Sequence, residues 1–369
     1  MTNHTSTALS RWQADDLDEL AIELDQIKAD ILKKRGEEDA NYILNVVRLQ
    51  RALEIGGRLL LVLFFVHPLC WIVGALFLGV AKILDNMEIG HNILHGQYDW
   101  MNHPTLNSQT YEWDNACDAG SWKRTHNYEH HTYTNIIGKD RDFGYGLLRL
   151  SDDFRWKPKN RWQFFTYLLH TLLFQWGVAF HEMAGKRVFL KLAGNVNNQP
   201  EAVKLRKIFF SKAKRIALKD YLIFPLLAGP MFLPVFLGNL TANVIRNIWT
   251  ATIIYCGHFT EDVHTFKSSE CEFESRGQWY LRQALGSSNF SGPRWLHVMS
   301  GHLSFQIEHH LFPDLPSYRY PEISRLIQPV LERHRIPYNA QPFVRQYKTV
   351  LERIIRYSRK PEESIIGSA

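Results

Sequence analysis

Three groups of residues have the types and spacing of a metal centre: His91-x3-His95, His126-x3-His130-His131 and Gln306-x-x-His309-His310. Residues four apart share a helix face, so His91 with His95, and His126 with His130, each aim two imidazoles the same way. His131 is turned from His130 by about a third of a turn, which lets that triplet serve two ions at once. The third group repeats the adjacent pair, with the neutral amide of Gln306 in place of another ring. His258 closes an apolar run, and His302 precedes the third group by one helical turn. Imidazole nitrogen suits iron, zinc, copper or nickel. Eight or nine rings are too many for one ion but fit two six-coordinate ions with positions left for oxygen or water. Neutral ligands leave the cations' charge uncompensated, so carboxylates are expected to orient the rings; Glu129, Asp140, Asp142, Asp262 and Glu308 stand near enough in the chain. His103, His170, His181, His264 and His297 read as ordinary structural histidines.

Apolar stretches must position these groups. The chain turns apolar after Arg51, and His67-Pro68 interrupts it, since proline pushes its predecessor out of helical geometry. Two membrane spans are expected, over residues 53–66 and 69–95, the second outlasting the bilayer and carrying Asp85, Glu88, His91 and His95 into water. Residues 162–183 are rich in aromatics but interrupted by polar side chains, and the loop from Lys186 to Lys219 is strongly basic, so the positive-inside rule places it in the cytoplasm. If the His126 group lies on that same side, 162–183 must be an interfacial helix rather than a span. Two more spans, 218–237 and 241–259, read as a hairpin turned at Gly238-Asn239 that returns His258 to the cytoplasmic face. The expected fold is an all-α integral membrane protein, with four transmembrane helices and a cytosolic helical cap carrying every histidine group. Residues 1–50 form an N-terminal amphipathic region, with Leu17, Leu20, Leu24, Ile27 and Ile31 at helical spacing. Residues 51–335 form the membrane domain, and 336–369 a C-terminal helical tail.

The net charge of +6 suits a surface against anionic headgroups, or one that receives a phosphorylated substrate. The basic residues flank apolar spans, which favours lipid over nucleic acid. Cys70, Cys117, Cys256 and Cys271 form no C-x-x-C pair, against both a disulfide framework and a zinc ribbon. The N-terminus shows no basic region followed by an apolar run, so no cleavable signal peptide is expected.

H-x3-H, H-x3-HH and Q-x-x-HH, in this order around two apolar hairpins, resemble the integral-membrane fatty acid desaturases. Residues 90–102 and 301–313 are similar to the corresponding strings of bacterial acyl-CoA Δ9 desaturases of mycobacterial and pseudomonad type. The resemblance implies a non-haem di-iron site that uses O2 and two external electrons to remove two hydrogens from neighbouring methylenes of a saturated acyl-CoA. On that basis His91, His95, His126, His130, His131, His258, His309 and His310 are iron ligands, with His302 one more candidate. Trp122, Lys123 and Arg124 fall where the family meets the CoA head group. Two positions depart from the family's animal members: Gln306 replaces a histidine, and Ile254 an asparagine one turn before His258. Either His302 compensates or one iron carries an extra water. No His-Pro-Gly-Gly haem element is present, so electrons are expected from a separate reductase, ferredoxin or cytochrome b5. The implied location is a bacterial cytoplasmic membrane, with the active site and both termini cytosolic. Rival readings are an acyl-lipid desaturase or acyl hydroxylase on the same scaffold, and, in another class, a histidine-rich metal transporter or bis-histidine cytochrome.

Overall fold

A computed structural model describes residues 12–185 and 200–361. Lys186, Arg187 and Lys191 of the basic loop, the residues before Trp12 and the end of the C-terminal tail lie outside the described residues. Helix α1 spans Ala14–Lys34 and α2 Glu37–Val62. The helix expected over 53–66 is thus the apolar end of a much longer one. A 3-10 turn at Leu63–Phe65 then leads to His67, whose Nδ1 caps Leu69 N at 3.2 Å, and Pro68 opens α3, Pro68–Leu84. Proline suits a first helical position because its missing N–H has no partner there in any case. Helices α2 and α3 run antiparallel and meet through Gly57 and Gly74, where an added Cβ would stand 2.8–2.9 Å from the facing backbone. Small residues at such a crossing let two backbones approach closely.

Beyond Leu84 the same rod tightens into a π-helical turn, Asp85–His91, and a last α turn, Asn92–Leu94. Sequence reading carries this segment into water; in the structure Glu88 and His91 are buried, because the cap closes over them. The expected interfacial helix is two helices, α4 (Gln163–Leu172) and α5 (Phe174–Glu182), broken at Leu173. Phe165, Leu168, Leu169 and Leu172 expose one apolar face of that pair.

Helix α6 covers Pro200–Leu218 and runs on through a further π-helical turn, Lys219–Ile223. The chain reverses at Gly229-Pro230, where Gly229 has φ +55°, and α7 then runs unbroken from Phe232 to His258. The expected turn at Gly238-Asn239 is therefore displaced. Gly238 makes room for Leu61 across the helix contact, and Asn239 donates to the carbonyl of Asp220 at 2.6 Å. Among the described residues one helix, Pro68–Leu94, is long and apolar enough to cross a bilayer by length and composition. Helix α7 has the length, at 27 residues, but Asn239, Asn243, Arg246 and Asn247 interrupt its apolar composition. Four spans are accordingly not established by composition.

The cap packs around helix α8, Arg276–Leu285, which begins with a capping box between Ser275 and Gln278. Leu17, Leu20, Leu24 and Ile31 of α1 are buried in one core with α8 and α10 (Tyr320–Arg333), the docked amphipathic face that their spacing predicts. Each such side chain contributes about 1.5–3 kcal/mol relative to exposure. The short helix α9, Gln306–Leu311, lies between these elements, and α11, Phe343–Ser358, packs against α7. A two-stranded parallel pair, β1 (Asn289–Ser291) with β2 (Ala340–Pro342), ties α8 to α11.

Candidate metal centre

The centre begins with local backbone. His126 and His130 lie on a π-helical turn, Lys123–His130, and His91 ends another. A π turn widens the helix and is found mostly at functional sites. It keeps residues four apart on one face more closely than an α turn does. His95, His131, His258, His309 and His310 arrive from the end of the α3 rod, the turn after His130, the end of α7, and α9.

The rings converge in two groups. His91, His95, His126 and His309 each offer a nitrogen within 4.8 Å of the others, and His130, His258 and His310 form a second such set. His131 joins them: its Nε2 is 3.2 Å from His309 Nε2, while its ring stacks on His310 with centroids 4.4 Å apart. Gln306 Nε2 stands 3.0 Å from His258 Nε2, which in turn is 3.3 Å from His310 Nε2.

Hydrogen bonds on the far side of each ring fix which nitrogen faces inward. His130 Nδ1 meets Asp140 at 3.0 Å, His126 Nδ1 meets Asp142 at 3.3 Å, His91 Nδ1 meets Asn92 Oδ1 at 3.1 Å, and His310 Nδ1 meets Gln283 Oε1 at 2.9 Å. These partners are acceptors, so each Nδ1 donates and each Nε2 keeps its lone pair. His309 Nδ1 lies 3.1 Å from the Tyr320 hydroxyl. The inward Nε2 atoms of His91, His95, His126 and His130 are buried and have no protein partner. Burial, helped by neighbouring rings, holds the pKa of His131, His309 and His310 well below its ordinary value, so they stand as neutral rings able to offer a lone pair. For His130 burial acts the same way, but Asp140 outweighs it and raises the pKa. Two nitrogens bound about 2.1 Å from one ion at right angles stand about 3.0 Å apart, which is the spacing of these pairs. The donor set fits two transition-metal ions.

Of the carboxylates expected to orient rings, Asp140 and Asp142 do so. Glu129 pairs instead with Arg141 at 3.2 Å, Asp262 is exposed in a turn, and Glu308 turns away to Asn289 and Tyr338 at 2.8 and 2.7 Å. On helix α9 Glu308 precedes the ligand pair, so adjacency in sequence sends it to the opposite side. Gln283, Tyr320 and Asn92 were missed; lying far along the chain, or being uncharged, they carry no signal in spacing. His302 belongs to neither nitrogen group and meets the Glu88 carboxylate at 2.9 Å. Of the histidines read as structural, His297, His103 and His170 bond to Ser304, the turn at Thr105 and Tyr255. His181 bonds to Asp142 at 3.2 Å and gathers with it and Glu182.

A cavity of about 740 Å³, counting its open mouth, runs beneath His91, His126, His130 and His258. Trp122 lines it and stacks on His126 at 4.5 Å, with Met87, Tyr145, Phe174, Ile254 and Phe259 adding apolar wall. Deeper in, the buried Arg246 holds Asn86 at 3.0 Å, Asn247 at 3.0 Å, Asn243 at 3.1 Å and Gln175, tying three walls together. Lys123 donates to the carbonyl of Ser108 at 2.6 Å, and Arg124 to that of Glu182 at 3.3 Å.

The profile of the fatty acid desaturase family matches residues 67–342. A Mycobacterium tuberculosis protein named NADPH-dependent stearoyl-CoA 9-desaturase is 46% identical over 339 residues, covering 90% of this chain and 78% of that one. More distant similarity, at 25% identity, joins the chain to sn-1 linoleoyl-lipid 6-desaturases of Synechocystis, with 73% of this chain and 76% of that one covered, and of Arthrospira platensis, with 72% of each. A family profile spanning most of the chain, and histidine clusters that meet above an apolar cavity, lead to one assignment: this protein belongs to the fatty acid desaturase family.

Proposed function

We propose that this enzyme introduces a Δ9 double bond into a saturated long-chain acyl-CoA, at two irons held by His91, His95, His126, His130, His131, His258, His309 and His310. The observation that carries it is the convergence of these ring nitrogens above a largely apolar cavity, which His91, His126, His130 and His258 line. When bound, an iron pair supplies the oxidising power to take hydrogen from an unactivated methylene, using O2 and two electrons. The chain's own residues do the rest. Asp140, Asp142, Asn92 and Gln283 fix the ring tautomers. The aromatic wall around Trp122 and Phe259 excludes water and holds the acyl chain in one path. Lys123 and Arg124, next to Trp122, are the basic groups for the CoA phosphates, and the likeness to a stearoyl-CoA desaturase supports that substrate.

The relative's name also supports NADPH as the ultimate electron source, through a separate reductase, ferredoxin or cytochrome b5. The α2–α3 pair, and the apolar segment after Leu218 together with α7, serve as two hairpins in a bacterial cytoplasmic membrane, with α4 and α5 at the interface, the basic helix α6 on the cytosolic side and the metal centre facing the cytosol. The exposed apolar tips at Phe65, Val66, Leu226 and Leu227 support that orientation. The test is product analysis by gas chromatography and mass spectrometry after supplying stearoyl-CoA, a reductase and NADPH to purified protein. A Δ9 monounsaturated product is expected. Recovery of hydroxylated acid alone, or activity only on lipid-bound chains, would overturn the assignment.

A further inference from the structure

Beside the metal centre Asp142, His181 and Glu182 bring one ligand atom each within 4.8 Å of one another. Asp142 is fully engaged, with Oδ2 on His126 Nδ1 at 3.3 Å and Oδ1 on His181 Nε2 at 3.2 Å. Glu182 is not. It is 1% exposed and lines the same cavity as His126 and Trp122, and its Oε2 has no hydrogen-bond partner. Among the described residues no Lys, Arg or His forms an ion pair with it. Its backbone carbonyl is held by Arg124 and by Thr125 at 3.2 Å, and the Thr125 side chain also reaches its carboxyl, so the residue is fixed while Oε2 alone is left without a partner.

A carboxylate buried without a cation, beside a second carboxylate, is strongly disfavoured, and protonation removes the penalty. Burial, then the charge of Asp142, push the Glu182 pKa well above its ordinary range. Of two adjacent buried acids, the one with both oxygens bonded to imidazoles is held in place, and the one with a free oxygen on the cavity is placed to carry a proton. Cys117, Tyr145, Glu129, Arg124 and Arg141 are the other titratable groups around Glu182, and Arg124 and Arg141 are cationic without forming an ion pair with its carboxyl.

We infer that Glu182 is the acid that gives up the protons consumed in oxygen reduction, and that His181 resupplies it from solvent. This rests on the desaturase reading. Two methylene hydrogens, two electrons and two protons convert O2 to two waters and –CH2–CH2– to –CH=CH–. Each proton leaves Glu182 as its carboxylate and is replaced through His181, whose side chain is 14% exposed; two passes complete the balance. The cavity is roomy and polar enough at this end for one bridging water to carry the proton inward.

The test is Glu182→Gln, which keeps size and polarity but has no transferable carboxyl proton. With reductase, O2 and stearoyl-CoA, double-bond formation should fall on the order of a hundredfold. Iron content should stay at the wild-type value, with oxygen uptake diverted to hydrogen peroxide. Infrared difference spectra of wild type against the variant should show loss of a protonated-carboxyl carbonyl band, a readout independent of turnover. A variant that keeps pace with wild type, or one that loses no such band, would overturn the inference. Should Glu182→Gln fail to assemble, His181→Gln leaves the acid in place and should slow turnover with a larger solvent deuterium isotope effect; an unchanged rate and isotope effect there would also overturn it. Wild-type protein that forms no double bond would instead sink the desaturase reading itself.

Discussion

His302 Nδ1 lies 2.9 Å from the Glu88 carboxylate, and this contact pins the turn before the Gln306–Leu311 helix to the π-helical turn that carries His91. Glu88 is fully buried and also accepts from the hydroxyls of Tyr42 and Ser317, both at 2.9 Å. His302 itself sits at φ +55°, in the left-handed region, so the chain reverses there before entering the helix. The two ligand-bearing elements therefore share a polar clasp behind the metals.

His302→Ala tests that role directly. Two irons per chain should be retained, because the ring belongs to neither nitrogen group. Stability should drop by about 1–3 kcal/mol as Glu88 loses a buried partner. Metal analysis beside a thermal melt reads both, and loss of one iron with an unchanged melt would make His302 a ligand.

His309→Ala and His130→Ala remove one ring from each nitrogen group. Each should lower desaturation on the order of a hundredfold or more while leaving membrane insertion intact. Iron content should fall from two per chain toward one. Substantial residual activity in either variant would remove that histidine from the essential set.

Asp140→Asn addresses the carboxylate behind His130. Asp140 Oδ2 takes both the ring at 3.0 Å and the backbone N–H of Asn135 at 2.8 Å, so it orients the ligand and its own loop together. An amide in that place can present its N–H to the ring and reverse the tautomer. Metal affinity should fall about 10–100-fold, measured by competition with a chelator. Glu129→Gln is the matched control and should leave affinity unchanged, since Glu129 pairs with Arg141.

These controls mark where sequence reading succeeds and where it stops. The clustering of rings is local: imidazoles four apart, or adjacent, advertise themselves, and all eight candidate rings meet in the structure. The residues behind them depend on which way each helix turns. Glu308 and Asp262 stand close to ligands in sequence yet face elsewhere, while Gln283 and Tyr320 reach His310 and His309 from separate helices. Helix ends misled for a related reason. Gly238-Asn239 has the composition of a turn, but both side-chain demands are met inside a helix, by Leu61 and by the Asp220 carbonyl. The docked face of α1 was legible because amphipathic spacing alone determines it.

Acid should destabilise the metal-free protein through the histidine cluster. The pKa of His131, His309 and His310 lies well below the ordinary 6.5, chiefly through burial and then through neighbouring rings. Above that value the rings are neutral in both folded and unfolded chains, and their contribution to stability is complete. Below it the unfolded chain binds protons that the folded chain refuses, so stability is lost as pH falls, by about 1.4 kcal/mol per pH unit for each ring. His130, whose pKa is raised by Asp140, acts in the opposite sense and offsets part of one ring's share. Most carboxylates titrate below about pH 5, while Glu182 and Glu308, whose pKa burial raises, act in the opposite sense to the lowered rings, so melts between about pH 7 and 5 read the histidines' loss less that offset. The apparent melting temperature should fall across that window, and His309→Gln, which removes one of seven such rings (burial lowers His91, His95, His126 and His258 as well), should flatten the slope slightly. A melting temperature independent of pH over that range would show that the rings take up protons freely without metal, and that the cluster is not held in ligand-ready form.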